Sequence, residues 1–449
     1  MPTRLRSLVT ASAVALGLLV TAAPAHAVAD PTLNLENFDL RPNSLGTELK
    51  DRVAKLDTEL TKAGVGKIMA DANRKGTIGK PYTPCNSAAS QPQLSTVDRS
   101  ICFTSGDNST GLWTPQGVTT VADAQDDQHW GEKNQPVLIS WYDSSAKDGV
   151  DDEEDEYEKG VRVTFLDPAT GVYRHVLLVY PTINSYGNPS YMSLRYKQTG
   201  DGKSLHAGGM VWYGNFLYVA DTDRGFRVFD MRHIYDLGAA ENGTTEDPSE
   251  IGRRSGTYYG HGYRYVMPQV ASWTVTSAKG DECTPQDVAP SFSYASLDRS
   301  GTDHIIAGEY CDGTDEAVTS NGRVAAWAIA DSLDGDKEQI TDPDYRWQAD
   351  AAHKLPITNV QGATRFNDRW YLSQSLGGST NGALVQTTKT DFSDEELTAE
   401  TRQPAAIGPE DLSHWQTGQG GTTLGAMWTV AEHPNKRMVY STVPEAVAD

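Results

Sequence analysis

Five times along this chain a small-residue or Pro/Gly-marked start leads into an apolar strand, a tight turn and a second strand ending in an acid or amide. The versions run Pro115-Gln116-Gly117 to Asp143, His206-Ala207-Gly208 to Asp221, Ala289-Pro290-Ser291 to Glu309, Val360-Gln361-Gly362 to Gln374, and Pro409-Glu410-Asp411 to Glu432. A unit this short cannot bury its own apolar face, so repeated units must pack against one another. Sheets arranged radially do so around one axis, on which their inner strands converge. The pattern therefore predicts an all-β fold, a five-bladed β-propeller over residues 112–449. A row of β-sandwiches is the competing architecture.

Within the repeats the expected strands include Val161–Leu166, Tyr173–Tyr180, Phe216–Asp221, His304–Tyr310 and Trp370–Ser375. Tyr173-Arg174, Tyr263-Arg264 and Tyr345-Arg346 are expected to open outer strands in the first three repeats. The fifth repeat runs out of chain after three strands. Its fourth is expected from the N-terminal region, because ring closure removes exposed sheet edges. That region, residues 28–111, begins with Leu45, Leu49, Val53, Leu56 and Leu60 at helical spacing. It continues as an irregular strap rich in Gly, Pro, Ser, Thr and Asn.

Met1–Ala27 carries the marks of a secretory signal: Arg4 and Arg6, an apolar run from Leu8 to Ala22, and Ala25-His26-Ala27 as a cleavage pattern. The run is shorter than the roughly 20 residues that span a bilayer. Removal is expected, leaving a secreted, extracellular, monomeric chain without a membrane insertion. Four cysteines suit that address. Sequential disulfides, Cys85–Cys102 and Cys283–Cys311, are the simplest pairing, with zinc the lesser option because no Cys-x-x-Cys is present. The formal net charge of −22 argues against nucleic acid, which needs a basic footprint. It suits a cation wherever carboxylates converge.

Four pieces carry a resemblance: His-Ala-Gly-Gly-Met-Val-Trp at 206–212, Leu-Tyr-Val-Ala-Asp at 217–221, Arg-Val-Phe-Asp at 227–230 and Gly-Pro-Glu-Asp-Leu at 408–412. In these the chain resembles uncharacterised secreted bacterial β-propeller proteins of the five-bladed type. The resemblance covers roughly residues 110–445. It implies fold and export, and brings no catalytic residues with it. Five-bladed propellers as a class include glycosidases, calcium-dependent nucleotidases and lectins.

If the repeats superpose, two sets of polar residues gather at one end of the axis. Gln116, His206, Ser291, Gln361 and Glu410 start the inner strands; Asp143, Asp221, Glu309, Gln374 and Glu432 end the second strands. Antiparallel neighbours bring a strand's start and the next strand's end to the same edge. Converging carboxylates suit calcium, a hard cation that takes oxygen ligands. Two carboxylates about 5–10 Å apart suit glycoside hydrolysis. Any one acid at a strand end is also an ordinary turn residue, bonding its own backbone. Asp221-Thr222-Asp223-Arg224-Gly225 is read as a hairpin turn before a calcium half-loop, and Asp151–Glu158 as a solvated acidic loop.

The expected function is binding of an extracellular glycan or small-molecule ligand at an acidic channel mouth, with calcium as the only cofactor considered. Gln116, Asp143, Gln361, Glu410, Glu432 and Trp415 are the binding candidates, with Tyr213 and Trp130 as further rings. The alternative is an extracellular hydrolase, a glycosidase or phosphoesterase, with Asp221 and Glu309 as acid and base and His206 assisting. A purely structural or adhesive ring is the third reading. No phosphate-binding glycine loop, Gly-x-Ser-x-Gly or His-Glu-x-x-His is present, which lowers the odds of nucleotide-dependent, serine-hydrolase and zinc-protease chemistry.

Overall fold

A computed structural model describes residues 30–80, 96–145, 159–195, 205–280, 283, 288–313, 322–335, 337–417 and 423–445. The expected signal, the Cys85 half of the first disulfide and the acidic run Asp151–Glu158 lie outside them. Among the described residues no helix is long and apolar enough to cross a membrane.

The chain is an all-β propeller of five blades, each with four strands from axis to rim, to which Thr77–Ile78 adds a fifth at the edge of blade five. Blade one holds Trp113–Thr120, Val137–Asp143, Val161–Leu166 and Val172–Ile183 from axis to rim; blade two holds Met210–Tyr213, Phe216–Asp221, Gly225–Asp230 and Tyr265–Val275. Blade three is Tyr294–Asp298, His304–Gly308, Arg323–Ala328 and Ala351–Lys354; blade four is Val360–Phe366, Arg369–Gln374, Asn381–Lys389 and Ala399–Ile407. Every blade is antiparallel throughout.

Blade five has Ser413–Thr417, Thr423–Val430 and Met438–Thr442 from the C-terminal end of the chain. Its outer strand is Val97–Cys102, in register Val439↔Ile101 and Ser441↔Arg99. The N-terminal strap thus closes the ring, as the missing fourth strand required. Blades one and two are further joined at their rims, where their outer strands pair in parallel from Val266↔Leu177 to Pro268↔Val179.

Two expectations shift. The amphipathic helix is Gly46–Asp57, burying Leu49, Val53 and Leu56, and stops about two turns before Gly64, where the spacing from Leu45 to Leu60 predicts its end. Tyr345-Arg346 does not open an outer strand: that strand begins at Ala351, whereas Tyr173-Arg174 lies inside its own and Tyr263-Arg264 immediately precedes its own. The first two Tyr-Arg pairs share a position; the third shares only its spelling.

Large rings fill the wedges between blades. Between blades two and three Phe226 meets Phe292 at 5.3 Å, Phe292 meets Trp327 at 5.9 Å and Trp273 meets Trp347 at 5.1 Å. Trp273, Trp327 and Trp347 are fully buried. Such a ring removes about 150–250 Å² from water, so a handful of them offsets much of the cost of ordering a blade. Cys283 and Cys311 form the expected disulfide beside blade three.

Candidate functional site: the axial mouth

The inner strands meet at one side chain. Asp411, fully buried, accepts the backbone N–H of Val118 and Met210 on Oδ2, at 3.1 and 3.2 Å, and that of Ala295 on Oδ1 at 3.3 Å. Burial pushes its carboxyl well up, and these N–H bonds, with one from Leu412, offset part of that push. Glycine makes the approach possible. A Cβ on Gly209 would lie 1.9 Å from the Ala295 nitrogen, and one on Gly362 2.8 Å from the Asp411 backbone. At this level the Asp411 carboxyl and the surrounding backbone fill the axis.

The shared partner also sets the register of the repeats. Val118, Met210, Ala295 and Leu412 are equivalent, since each donates its N–H to Asp411. Two residues earlier stand Gln116, Gly208, Ser293 and Glu410, with Gln361 before Gly362 in blade four. His206 and Ser291 therefore lie two residues before their expected places in the ring. The slip arose because Ala289-Pro290 and His206-Ala207 look like strand starts, while the strands begin at Tyr294 and Met210.

One member of each expected set does meet. Gln116, buried, donates from Nε2 to Glu432 Oε2 at 3.1 Å across the junction of blades one and five. Glu410 is buried and Glu432 half-exposed. Both act electrostatically on Tyr310, whose phenol is raised by burial first and then, against the Asn359 hydrogen bond, by the charges of Asp312, Glu410 and Glu432. Asn359 Nδ2 lies 3.2 Å from the Tyr310 hydroxyl and 3.3 Å from Asp312 Oδ1. His433 Nε2 is 3.7 Å from Glu432 Oε1. His206, exposed, leans on the Tyr142 ring at 4.7 Å.

The other nominated acids have occupations. Asp221 is fully buried and paired with Arg227 Nε at 2.7 Å. Glu309 receives Arg323 Nε at 2.9 Å and Nη2 at 2.7 Å, with the Arg323 and Ser291 backbone N–H groups completing its shell. Asp143 locks a turn, accepting from Ser145 N and Oγ and from Lys159 N. Asp221 also closes a tight turn onto Gly225, with Arg224 N donating to its carbonyl, the hairpin expected there. Gln374 donates to the Thr358 carbonyl at 2.8 Å. Gln361 is half-buried in the mouth ring.

Trp415 is not at the mouth. It sits at the far end of its inner strand, its indole N–H on Gln128 Oε1 at 2.9 Å. Tyr213 and Trp130 belong to that end too, bonded to Asp303 at 3.0 Å and packed on Trp212 at 4.8 Å. Among the described residues no group of three or more His, Cys, Asp or Glu side chains is placed to hold a metal ion.

Three residues of consequence are not among the site residues expected from the sequence: Asp411, Tyr310 and Asn359. A signal existed for the first. Gln116-Gly117, Gly208-Gly209 and Gln361-Gly362 place glycine where Glu410-Asp411 places a carboxylate, which marks Asp411 as the side chain for which the glycines make room. Nothing local distinguishes Tyr310 or Asn359.

No protein-family model matches the chain, and no curated protein matches it in sequence. Among solved structures it is similar to the GH43_1 enzyme of Xanthomonas citri, at 10% identity over 81% of this chain and 93% of that one, with a TM-score of 0.36. A second is CoXyl43, a GH43 β-xylosidase/α-arabinofuranosidase from a compost microbial metagenome, in complex with xylotriose in calcium-free form. It gives 10% identity over 78% and 94% of the two chains, with a TM-score of 0.35. A third is the β-propeller domain of Myceliophteria thermophila Cps50 (Swd1), at 7% identity, 69% and 93% coverage and a TM-score of 0.26. At these scores the likenesses add nothing to the fold and chemistry read from the chain's own sheets and side chains.

Proposed function

We propose that this is an exported propeller that binds a glycan at its axial mouth. One observation carries the reading: the Gln116–Glu432 hydrogen bond, with Glu410 and Tyr310 beside it. Carboxylate, amide and phenol together accept from and donate to neighbouring sugar hydroxyls. Glu410, Glu432 and Tyr310 stand just beyond strand ends and Gln116 at the register break inside Trp113–Thr120, all on laddered backbone, so little entropy is lost when a ligand docks. The Tyr142–His206 pair adds ring surface at the same edge.

A second reading, glycoside hydrolysis, draws on the two carboxylates Glu410 and Glu432 meeting at one mouth, the minimum that acid/base cleavage needs. Asp221 and Glu309 suit that task less, because each already neutralises a buried arginine.

The test is a glycan array followed by titration of any hit, with reducing ends assayed over the same sugars. Binding is expected, weakened at least about tenfold by Gln116→Ala and by Glu432→Gln, the scale of a lost charge-assisted contact. Binding untouched by both changes, or no hit on the array, overturns the proposal. Release of reducing ends that stops in Glu432→Gln while binding persists moves the assignment to the hydrolase.

A further inference from the structure

Away from the mouth, between blades one and five, opens a cleft of about 630 Å³. That size lies within the roughly 300–1,000 Å³ of small-ligand sites. Its lining includes Ser441, only 1% exposed, whose hydroxyl finds no hydrogen-bond partner. An unpaired hydroxyl at the base of an open cleft is costly, and a ligand hydroxyl relieves it.

The wall is aromatic. Trp415 is part-exposed, and its ring is held by the bond to Gln128, which itself donates to the Gln416 carbonyl at 2.9 Å. Trp428 follows at 6.1 Å, tilted 44°. On the rim stand Arg99, Lys133 and Asp98, all exposed, and none forms an ion pair among the described residues. The lining's other acid, Asp167, is held in a turn by the Ala169 N–H and the Thr170 hydroxyl, so in a chain of net charge −22 the formal charges of this cleft balance. Paired with a carboxylate, Arg99 and Lys133 would make charge-assisted bonds, bidentate at the guanidinium.

We propose that this cleft is a second saccharide site, selective for a short oligosaccharide carrying uronic acid. A sugar ring lies on Trp415, a hydroxyl reaches Ser441, a carboxylate meets Arg99 and Lys133, and Asp98 accepts from a further hydroxyl. The site is separate from the axial one. Trp415 is at the opposite end of the blade-five inner strand from Glu410, and the two sites share no residue.

The test titrates the full mature chain with trigalacturonic acid and with xylotriose, followed by tryptophan fluorescence and calorimetry. Trigalacturonic acid is expected to saturate with a change in emission, and xylotriose to bind at least about tenfold more weakly. The Trp415→Ala chain and the Arg99→Ala/Lys133→Ala double variant should each lose at least tenfold, while Glu432→Gln changes nothing here. Because Arg99 and Lys133 are exposed, the double variant reports even if Trp415→Ala unfolds. No saturation, equal affinity for the two sugars, or unchanged binding in the double variant overturns the proposal. The axial reading is scored by Gln116→Ala and Glu432→Gln, so either site can fail alone.

Discussion

The Asp411 carboxylate accepts the Val118 backbone N–H at 3.1 Å across the propeller axis, tying the last blade to the first. Met210 and Ala295 donate to the same group, so one side chain couples four of the five blades. Replacing Asp411 with Ala leaves the N–H groups of Val118, Met210, Ala295 and Leu412 without this acceptor. Each such loss costs roughly 1–3 kcal/mol. Asp411→Ala is therefore expected to lower unfolding free energy by at least about 4 kcal/mol in denaturant titrations. Asp411→Asn is expected to fall between it and wild type, since one carbonyl oxygen remains. An unfolding midpoint in Asp411→Ala equal to wild type would remove the hub from this account.

Glu309 and Glu432 end second strands in different blades, yet their replacement should have opposite consequences. Glu309→Gln strands the buried Arg323 guanidinium, which Glu309 contacts through both oxygens. Breaking a buried pair by removing one partner costs about 3–5 kcal/mol. Glu432 is part-exposed and its main partner is the neutral amide of Gln116. Glu432→Gln should stay within about 1 kcal/mol of wild type in thermal unfolding, which is what allows it to report on binding. Equal melting points for the two variants would contradict the contrast.

Periodicity made the propeller legible. The apolar runs at Val161–Leu166 and Phe216–Asp221 coincide with observed strands to the residue, because alternation and turn chemistry act locally. Closure by the strap was also legible, since a three-stranded last repeat leaves an unpaired edge. The site was legible by half. Gln116 and Glu432 meet as expected, but His206 and Ser291 slipped by two positions, a shift that preserves the side-chain alternation by which a strand is read. Asp221 and Glu309 read as acid and base candidates in the sequence because their arginine partners lie on the next strand, and a cross-strand pair leaves no local signature. Trp415 went to the wrong end for a plain reason: alternation gives a residue's face, and only the strand's direction gives its height along the axis.

Buried histidines should make the protein acid-labile. Burial pushes His414 down to about 3, and chiefly the same cause takes His353 and His261 to about 4. An unfolded histidine titrates near 6.5, so below that pH the unfolded chain binds protons that the folded one refuses. The stability these groups contribute is complete above about pH 6.5 and is lost as pH falls towards 3–4. Asp123 acts the other way: burial raises it to about 6, against bonds from Ser413, Thr119 and Thr120, so its contribution is complete in acid and lost as pH rises through 6. Each group changes the slope of unfolding free energy by about 1.4 kcal/mol per pH unit within its window. His414→Gln, which can still accept the Gly425 N–H, should flatten the acid loss between pH 4 and 6. Asp123→Asn should steepen it. Denaturant titrations at several pH values read both slopes, and parallel profiles in all three proteins would refute the assignment.

Closure by the strap should be the weak point of the ring. Among the described residues Val97–Cys102, with the two-residue strand Thr77–Ile78 beyond it, completes blade five from outside the continuous run Trp113–Thr442, and it covers the rim edge of Met438–Thr442. Ile101, fully buried opposite Val439, anchors it. Ile101→Asp puts a carboxylate into that core with no cation among its ladder partners, and the desolvation cost should release the strand. An exposed strand edge pairs readily with another chain. Hydrogen exchange is therefore expected to rise first at Met438–Thr442, with blade three still protected, since blades open locally when their own contacts fail. Size-exclusion chromatography should show dimers or larger species in the same variant. Uniform loss of protection across all five blades would mean that the ring unfolds as one unit and that the strap is no separate latch.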